Sequence, residues 1–285
     1  MCNQYQIHED RFRTRDGLHL YYRIWVPEVV NSAVILIHGA GEHLDIYKHL
    51  GNRFARDGHA FLTFDLRGFG RSDGRSGHVT CFDEYVDDVD QLLHFFKQRL
   101  GNTRYYLIGH SLGGLIAIRF AQTKPDHVNG IVLSAPSLGL KFDIPHFAIR
   151  MIQLIGGVTP SFSVDPYRLM KKAQLFPILR QYVFDVGPMN DPFIASRYSI
   201  RWVQELLAHI NEAVLQVEKI ITPTLCLQGD HDPLIPTDSV RLFFDRLNVK
   251  DKELVLLPGA GHRLLHSEAS TPAADILMKW LKQWV

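Results

Sequence analysis

The sequence is short of cysteine, of long apolar runs and of net charge, and each shortage argues against a class of protein. Its 3 cysteines among 285 residues are odd in number and far apart, which argues against a disulfide framework and a clustered metal site. The longest apolar runs, such as residues 33–37, are far shorter than the roughly 20 residues that cross a bilayer. Residues 1–12 are too polar for a secretory signal. A soluble cytoplasmic protein is therefore the default expectation.

The charge balance and the composition argue against further classes of protein. The 31 Lys and Arg residues balance 30 Asp and Glu residues and give a net charge of +1, so neither nucleic acid nor an anionic membrane is expected to attract the chain as a whole. With 46% hydrophobic and 21% charged residues, the chain has the composition of a folded globule and not of a disordered segment. The length suits one core with an insertion. The polar residues 1–9 are expected to fray.

Short runs of β-branched and aliphatic residues alternate with helical stretches along the chain. The runs lack polar alternation, which is typical of strands buried on both faces of a parallel sheet. Helical spacing separates them, most clearly in residues 82–100, where apolar side chains recur every three or four positions. This order, with right-handed crossovers, predicts a doubly wound, mostly parallel α/β sheet. The predicted strands are residues 18–25, 33–37, 60–65, 105–108, 130–133, 224–227 and 253–257.

The alternation stops after residue 136 and resumes near residue 222. No apolar run between these points suggests a buried strand. Clusters of Gly, Pro and Asp separate helical stretches at residues 145–155, 165–181 and 196–217. The sequence therefore predicts an α/β core formed by residues 1–136 and 222–285, with an inserted helical cap, or lid, formed by residues 137–221.

The segment GHSLG at residues 109–113 matches the G-x-S-x-G pattern of a nucleophile elbow. It follows the apolar run at 105–108 and opens the helical stretch at 112–123, which is the strand-turn-helix setting that the pattern requires. The turn is so sharp that the serine takes strained backbone angles and its neighbours must be glycines. Ser111 is therefore the predicted nucleophile.

A serine hydroxyl needs a base, and the base needs an acid that orients it. In this fold the chain order is serine, acid, histidine. His262 lies in the loop after the predicted strand at 253–257, where such a base belongs, and the loop after the strand at 224–227 holds Asp230 and Asp232. We predict Asp232 as the acid and keep Asp230 as the alternative. The aspartate that is not used is expected to cap the turn or the following segment through its carboxylate.

Acyl transfer also needs N–H donors for the oxyanion that develops on the substrate. One is the amide of Leu112, the residue after the nucleophile, at the start of a helix whose dipole favours negative charge. The second is expected in the loop after the strand at 33–37, where Ala40 N–H is the best candidate. His38 and His110 are expected to pack or to hydrogen-bond within these loops.

Several segments occur in an order and rough spacing that resemble one known family. They are HGAGEH at 38–43, DLRGFGRSDG at 65–74, the elbow at 109–113, Gly229 with Asp232, and Gly261 with His262. The family is the monoacylglycerol lipase and lysophospholipase branch of the α/β-hydrolases, and the resemblance spans residues 13–284. The elbow and the triad mark only the superfamily, whereas the HGAGEH string and a cap before the acid loop are typical of this branch.

The resemblance implies a serine esterase that needs no cofactor and no metal and that acts on lipids with one acyl chain. It implies oxyanion donors at Ala40 and Leu112, in agreement with the residues themselves. Glu42 is predicted as a substrate contact. The chain departs from the family at Ile46, which stands where mammalian members have an arginine near the glycerol end of the substrate. The implied partner is a small lipid ester, and the oligomeric state is left open.

The cap is expected to decide the substrate. Residues 147–155 are mostly apolar, and Gly156 and Gly157 follow as a hinge. One interpretation is that this apolar face packs onto the core. The other is an acyl-chain tunnel or a lipid-facing lid, because exposed apolar patches and mobile lids suit lipid substrates. The second interpretation makes Ile152 and Ile155 substrate contacts and implies transient contact of the cap with a membrane surface.

Other functions stay open on the same scaffold. Carboxylesterases, thioesterases and aminopeptidases share it, and the large apolar cap disfavours them only where their substrates are small and polar. A non-catalytic binding protein is a further alternative, but Ser111, Asp232 and His262 in this order argue against it. A hydrolase with an aspartate nucleophile is disfavoured because the elbow carries serine.

Overall fold

The computed structural model of the chain describes residues 5–141, 150, 152, 154, 156–165, 191–268 and 271–284. Its strands are Tyr5–Arg13 (β1), His19–Pro27 (β2), Ser32–Ile37 (β3), His59–Phe64 (β4), Arg104–His110 (β5), Gly130–Ser134 (β6), Ser163–Val164 (β7), Tyr198–Ser199 (β8), Thr224–Gly229 (β9) and Lys252–Leu257 (β10). One 8-stranded sheet has the order β1-β2-β4-β3-β5-β6-β9-β10, and β7 pairs with β8 in a separate 2-stranded sheet.

The large sheet is mostly parallel, as predicted. Strand β2 pairs antiparallel with β1 and with β4, whereas each pair from β4 across to β10 is parallel. The position of strand β3 explains why its residues form one unbroken apolar run. Its side chains Ala33, Ile35 and Ile37 belong to the core on one face of the sheet, and Val34 and Leu36 belong to the core on the other. Burial on both faces leaves no place for polar alternation.

Strand β1 is an element that the sequence analysis missed. It pairs with β2 along its whole length, from Tyr5 opposite Pro27 to Arg13 opposite His19, but most of its side chains are exposed. An edge strand that is solvated on both faces shows no apolar periodicity, so nothing in its sequence marks it as a strand. The expectation that residues 1–9 fray is wrong from Tyr5 onward.

Helices cover both faces of the sheet, which confirms the doubly wound arrangement. They are Lys48–Arg56 (α1), Asp83–Leu100 (α2), Leu112–Thr123 (α3), Ile200–Leu215 (α4), Thr237–Arg246 (α5) and Thr271–Lys282 (α6). One apolar core lies between the sheet and helices α2, α3, α4 and α5. The other lies between the sheet and helices α1 and α6. The loops at the strand ends are therefore attached to a sheet that is packed on both faces.

Part of the segment between β6 and β9 packs into the core. Helix α4 begins after Ser199, whose hydroxyl accepts a hydrogen bond from Trp202 N–H and caps the helix. The buried Trp202 indole donates to Tyr85 OH at 3.0 Å, and α4 lies against α3. The helix predicted at residues 196–217 is therefore present, a few residues shorter at its start.

The other predicted cap helices fall largely on residues outside the described ranges. Within the helix predicted at 145–155, residues 150, 152 and 154 are helical, and within the helix predicted at 165–181 only Asp165 is described and it is not helical. The division of the chain into a core and a cap at residues 137–221 stays a prediction. In the part of the chain that is described, no helix combines the length and the apolar character that a membrane crossing requires.

Candidate active site

Ser111 lies at the sharp turn between β5 and α3. Its backbone angles, φ 52° and ψ −112°, fall in a region that residues other than glycine avoid. Ser111 N–H donates to Ser134 O at 3.0 Å and fixes the turn. A Cβ added at Gly113 would overlap the carbonyl oxygen of Ile37, and one added at Gly109 would overlap the carbonyl oxygen of Gly113. Close packing therefore requires both glycines, and the strained serine is displayed at the carboxyl end of β5.

The structure pairs His262 with Asp232. His262 Nδ1 lies 2.8 Å from Asp232 Oδ2, and both side chains are buried. Asp232 Oδ1 accepts hydrogen bonds from the N–H groups of Leu234 and Ile235, and Gln228 Nε2 donates to Oδ2. Burial alone would raise the pKa of Asp232, but His262 and these backbone N–H groups hold that pKa below 3.8. An ionised acceptor at Nδ1 leaves the lone pair of His262 on Nε2, as a general base requires.

Asp230, the alternative acid, has a different partner. Its Oδ1 accepts a hydrogen bond from Gly259 N–H at 2.7 Å, which joins the acid loop to the turn before His262. This contact joins two loops and differs from the cap on its own turn or on the following segment that was expected of the aspartate that is not used. The geometry therefore favours Asp232 as the acid.

The three predicted triad residues lie after parallel strands, at the same edge of the sheet. Ser111, Asp232 and His262 follow β5, β9 and β10, which run parallel to one another in the same sheet. The ring of His110, next to the nucleophile, packs on the ring of His262 with 4.8 Å between their centroids. Ser111 Oγ lies 3.3 Å from the hydroxyl of Ser137, a residue that no sequence motif singles out. The catalytic roles of the triad stay a prediction that this arrangement supports.

Ala40 and Leu112 lie in neighbouring loops. Strands β3 and β5 pair in parallel with Ile37 opposite Gly109, so the loops that follow them are adjacent. Leu112 is the first residue of α3, and the first N–H groups of a helix have no partner within the helix. This placement is the one that a pair of oxyanion donors requires, and the assignment itself stays a prediction.

Buried side chains hold the loop that carries Ala40. His38 Nδ1 lies 2.7 Å from Gly39 O, and its Nε2 accepts a hydrogen bond from Leu66 N–H at 2.9 Å. Burial lowers the pKa of His38 below 6.5, and a neutral ring donates at one nitrogen and accepts at the other. Glu42 Oε2 accepts from Gly39 N–H at 2.8 Å. The contacts of His38 match the structural role expected from the sequence.

Glu42 lies at the centre of a buried polar cluster. Tyr47 OH donates to Glu42 Oε2 at 2.7 Å, and His266 Nε2 lies 2.6 Å from Oε1. Burial alone would raise the pKa of Glu42, but the neighbouring His266, His110 and Tyr47 hold it well below 4.5. His110 packs on His266 with 4.5 Å between ring centroids, and burial lowers the pKa of His110 well below 6.5. Apart from the HGAGEH string, the sequence carries no signal for this cluster.

Glu42, His110 and His266 could each offer one ligand atom to a metal ion. Their ligand atoms lie within 4.8 Å of one another, and imidazole with carboxylate suits transition metals. Both carboxylate oxygens of Glu42 already accept the hydrogen bonds described above, so the cluster is explained by its own contacts. We assign no metal to it, and a metal-free, cofactor-free site stays a prediction.

The two residues predicted to contact the acyl chain have different outcomes. Ile155 lies outside the described residues. Ile152 is half-buried, and its carbonyl accepts a hydrogen bond from Gln204 Nε2 of α4 at 3.0 Å. Large apolar side chains further along this stretch are 67%, 83% and 57% exposed, at Leu154, Val158 and Phe162 respectively.

A segment that the sequence analysis did not single out, residues 191–195, packs on the loop that carries Ala40. His43 Nε2 lies 2.9 Å from Asp191 Oδ2, and Ala195 N–H donates to Gly41 O at 2.9 Å. A Cβ at Gly41 would have no room beside Ala195 O. The inserted part of the chain therefore helps to hold the loop after β3.

Comparisons with known proteins identify the family of the chain. The family described as serine aminopeptidase, S33 (Hydrolase_4) matches residues 29–269. Phospholipase YtpA of Bacillus subtilis is 28% identical over 244 residues, which are 85% of this chain and 92% of the relative. Monoglyceride lipase of Homo sapiens is 29% identical over 274 residues, which are 95% of this chain and 88% of the relative. The solved monoacylglycerol lipase of Paleococcus ferrophilus has a TM-score of 0.73 and 28% identity and covers 97% of this chain and 98% of its own. The chain therefore belongs to the serine aminopeptidase S33 (Hydrolase_4) family, and the resemblance to the α/β-hydrolases is confirmed.

Proposed function

We propose that the chain hydrolyses the carboxylic ester of lipids that carry a single acyl chain, by a serine mechanism. The observation that carries this proposal is the buried pair of His262 and Asp232 at the same sheet edge as the strained Ser111. Relatives that are named monoglyceride lipase and phospholipase, at 29% and 28% identity, support a lipid ester as the substrate.

Each predicted residue has a defined role in this reaction. Ser111 Oγ attacks the ester carbonyl carbon while His262 Nε2 takes the hydroxyl proton, and Asp232 stabilises the imidazolium that forms. The N–H groups of Ala40 and Leu112 donate to the oxyanion, each with a contribution of about 3 kcal/mol. His262 then protonates the departing alcohol, and a water molecule attacks the acyl-serine to release the fatty acid.

The stretch at residues 150–162 supports a lipid-facing lid. Its exposed Leu154, Val158 and Phe162 are the kind of apolar surface that marks a lipid or membrane contact. We assign residues 137–221 to a cap that receives the acyl chain and touches a membrane surface transiently. A cytoplasmic enzyme at the periphery of membranes is the setting that fits this assignment.

Substrate turnover tests the proposal. Purified protein is expected to hydrolyse a long-chain monoacylglycerol or a long-chain lysophospholipid, and Ser111→Ala is expected to remove this activity together with any activity on a short-chain aryl ester. Release of fatty acid is the measurement. Turnover of the short ester alone would redirect the assignment to a small-ester carboxylesterase. Unchanged turnover in Ser111→Ala would contradict the serine mechanism.

An aminopeptidase is a second candidate because the matching family carries that description. Such an enzyme needs an anionic group that is free to bind the ammonium group of a peptide N-terminus. Glu42 is anionic beside the elbow, but its oxygens accept hydrogen bonds from Gly39, Tyr47 and His266, so it is not free for this role. An aminoacyl p-nitroanilide, assayed beside the lipid esters, is expected to give no release of nitroaniline.

Shortening the half-buried Ile152 tests whether the cap contacts the acyl chain. Ile152→Ser is expected to lower kcat/KM about tenfold on a long-chain ester and little on a short one, because lost apolar contacts matter only to the substrate that makes them. Leu242→Ser is the matched control, since Leu242 is 66% exposed on α5. Equal losses on the long and short esters would indicate that Ile152 only packs onto the core.

A further inference from the structure

Ser137 places a second hydroxyl beside the nucleophile. Its Oγ lies 3.3 Å from Ser111 Oγ, and the residue is 7% exposed. The G-x-S-x-G motif does not include it, and neither does the predicted triad or oxyanion pair. A hydroxyl at this distance can donate a hydrogen bond to the reacting oxygen or accept one from it.

The backbone holds Ser137 in this position. Ser137 N–H donates to Ser111 O at 3.1 Å, and Ala135 N–H donates to Leu227 O at 2.8 Å. Pro136 between them packs against Gly114 of α3, where an added Cβ would lie 2.9 Å from the proline. The turn after β6 is therefore fastened both to the elbow and to β9, which keeps the backbone of Ser137 beside Ser111.

The proton inventory sets the direction of the hydrogen bond. Ser111 must give its own proton to His262 when it attacks, so Ser137 is the donor whenever Ser111 Oγ carries negative charge. A separation of 3.3 Å is long for a bond between hydroxyls, and catalytic hydrogen bonds are often long in the resting enzyme and tighten as charge develops.

A donor at this oxygen affects the two half-reactions differently. In acylation, the free Ser111 hydroxyl already has the Ser137 hydroxyl as its partner, so the hydrogen bond stabilises the starting state as well as the charge that develops on Oγ, and the net gain is small. In deacylation, Ser111 Oγ is the leaving group, and a hydrogen bond to it stabilises the electron pair that returns to it. The contact therefore favours the second half-reaction.

We propose that Ser137 is a catalytic hydrogen-bond donor for deacylation. The proposal rests on the proposed function, in which Ser111 carries the acyl group. Water attacks the acyl carbonyl while His262 takes one water proton, and a tetrahedral intermediate forms. When it collapses, the bond between the carbonyl carbon and Ser111 Oγ breaks, the electron pair returns to Oγ, and His262 returns the proton to it. Ser137 donates a hydrogen bond to Oγ during this step and keeps its own proton.

Stopped-flow assay of a p-nitrophenyl ester separates the half-reactions, because nitrophenol release reports acylation and the later steady state reports deacylation. In Ser137→Ala the deacylation rate is expected to fall about tenfold or more, as for a lost hydrogen bond to a charged group. The acylation rate is expected to stay within about twofold. Ser137→Thr keeps the hydroxyl and should restore deacylation, whereas Ser137→Val, matched to it in size, should not.

Several results would overturn the proposal. Equal slowing of both phases would indicate a packing role, and unchanged phases, or identical behaviour of Ser137→Thr and Ser137→Val, would remove the role of the hydroxyl. Titration with an alkyl fluorophosphonate counts the folded, reactive sites in each variant and corrects the rates for misfolding. The proposed function fails separately: an initial release of nitrophenol that persists in Ser111→Ala would contradict the nucleophile itself, whatever Ser137 does.

Discussion

Replacement of Asp232 by asparagine is expected to lower kcat about ten-thousand-fold. The surroundings of the carboxylate decide how the new amide turns. Because Oδ1 accepts from the N–H groups of Leu234 and Ile235, the amide oxygen of asparagine takes that side and its NH₂ group faces His262. An NH₂ donor opposite Nδ1 stabilises the tautomer that carries its proton on Nε2, and this tautomer cannot act as the base.

The control for this prediction is the neighbouring aspartate. Asp230→Asn keeps an oxygen that can accept from Gly259 N–H, the contact made by Asp230, so its kcat is expected to stay within about threefold of the unmodified protein. Steady-state kinetics on a saturating ester measures both variants, and a thermal melt shows whether each is folded. A larger loss in Asp230→Asn than in Asp232→Asn would move the acid to the alternative position.

Replacement of Arg67 is expected to lower the free energy of unfolding strongly. Its guanidinium donates to both carboxylate oxygens of Asp88, from Nε and Nη2 at 2.6 Å, and both residues are buried. Asp16 and Glu84 lie 2.9 and 3.1 Å from Nη1. Arg67→Met would leave the carboxylate of Asp88 buried without a cation, and the free energy of unfolding is expected to fall by about 3–5 kcal/mol. Urea denaturation measures the loss.

The loss of unfolding free energy in Arg67→Met should be smaller at acidic pH. Burial raises the pKa of Asp88 to about 6 even beside Arg67, and without the guanidinium that pKa rises further. The unfolded chain binds the same proton only near pH 3.9. Between these two pKa values the folded variant holds a proton that the unfolded chain does not, so stability falls as pH rises. Arg67→Met should therefore lie closer to the unmodified protein at about pH 5 than at about pH 8.

Two further variants separate the buried charge from ordinary surface pairing. Arg67→Met combined with Asp88→Leu removes both charges and should recover much of the loss, because apolar replacements of a buried ion pair are often neutral. Lys282→Met removes an exposed partner of Asp57 and is expected to cost less than about 1 kcal/mol. A loss in Arg67→Met no larger than that in Lys282→Met would contradict the prediction.

Much of the fold was predictable because its signals are local. Ala33–Ile37 lies in a strand buried on both faces, and that burial excludes polar side chains from the run itself. The strained Ser111 needs Gly109 and Gly113 within two positions of it, because the turn leaves no room for a Cβ there. Strand β1 was missed for the opposite reason, since its exposed faces accept almost any side chain.

The contacts between distant parts of the chain could not be predicted in this way. Glu42 and His266 are 224 positions apart, and His43 and Asp191 are 148 positions apart. No motif in the sequence indicates that the members of either pair are in contact. These contacts exist because the loops after the parallel strands, and the chain that returns from the insertion, are packed against one another.

The sequence by itself determined the class of sheet, the strained elbow at Ser111 and the short set of candidates for its base and acid. These follow from burial and turn geometry, which constrain residues close together in the chain. Only the tertiary structure gave Asp232 and Asp230 different partners, His262 and Gly259, and brought the Ser137 hydroxyl beside Ser111 Oγ. Both contacts depend on how neighbouring loops are oriented, and the packing of these loops against one another at the edge of the sheet sets that orientation.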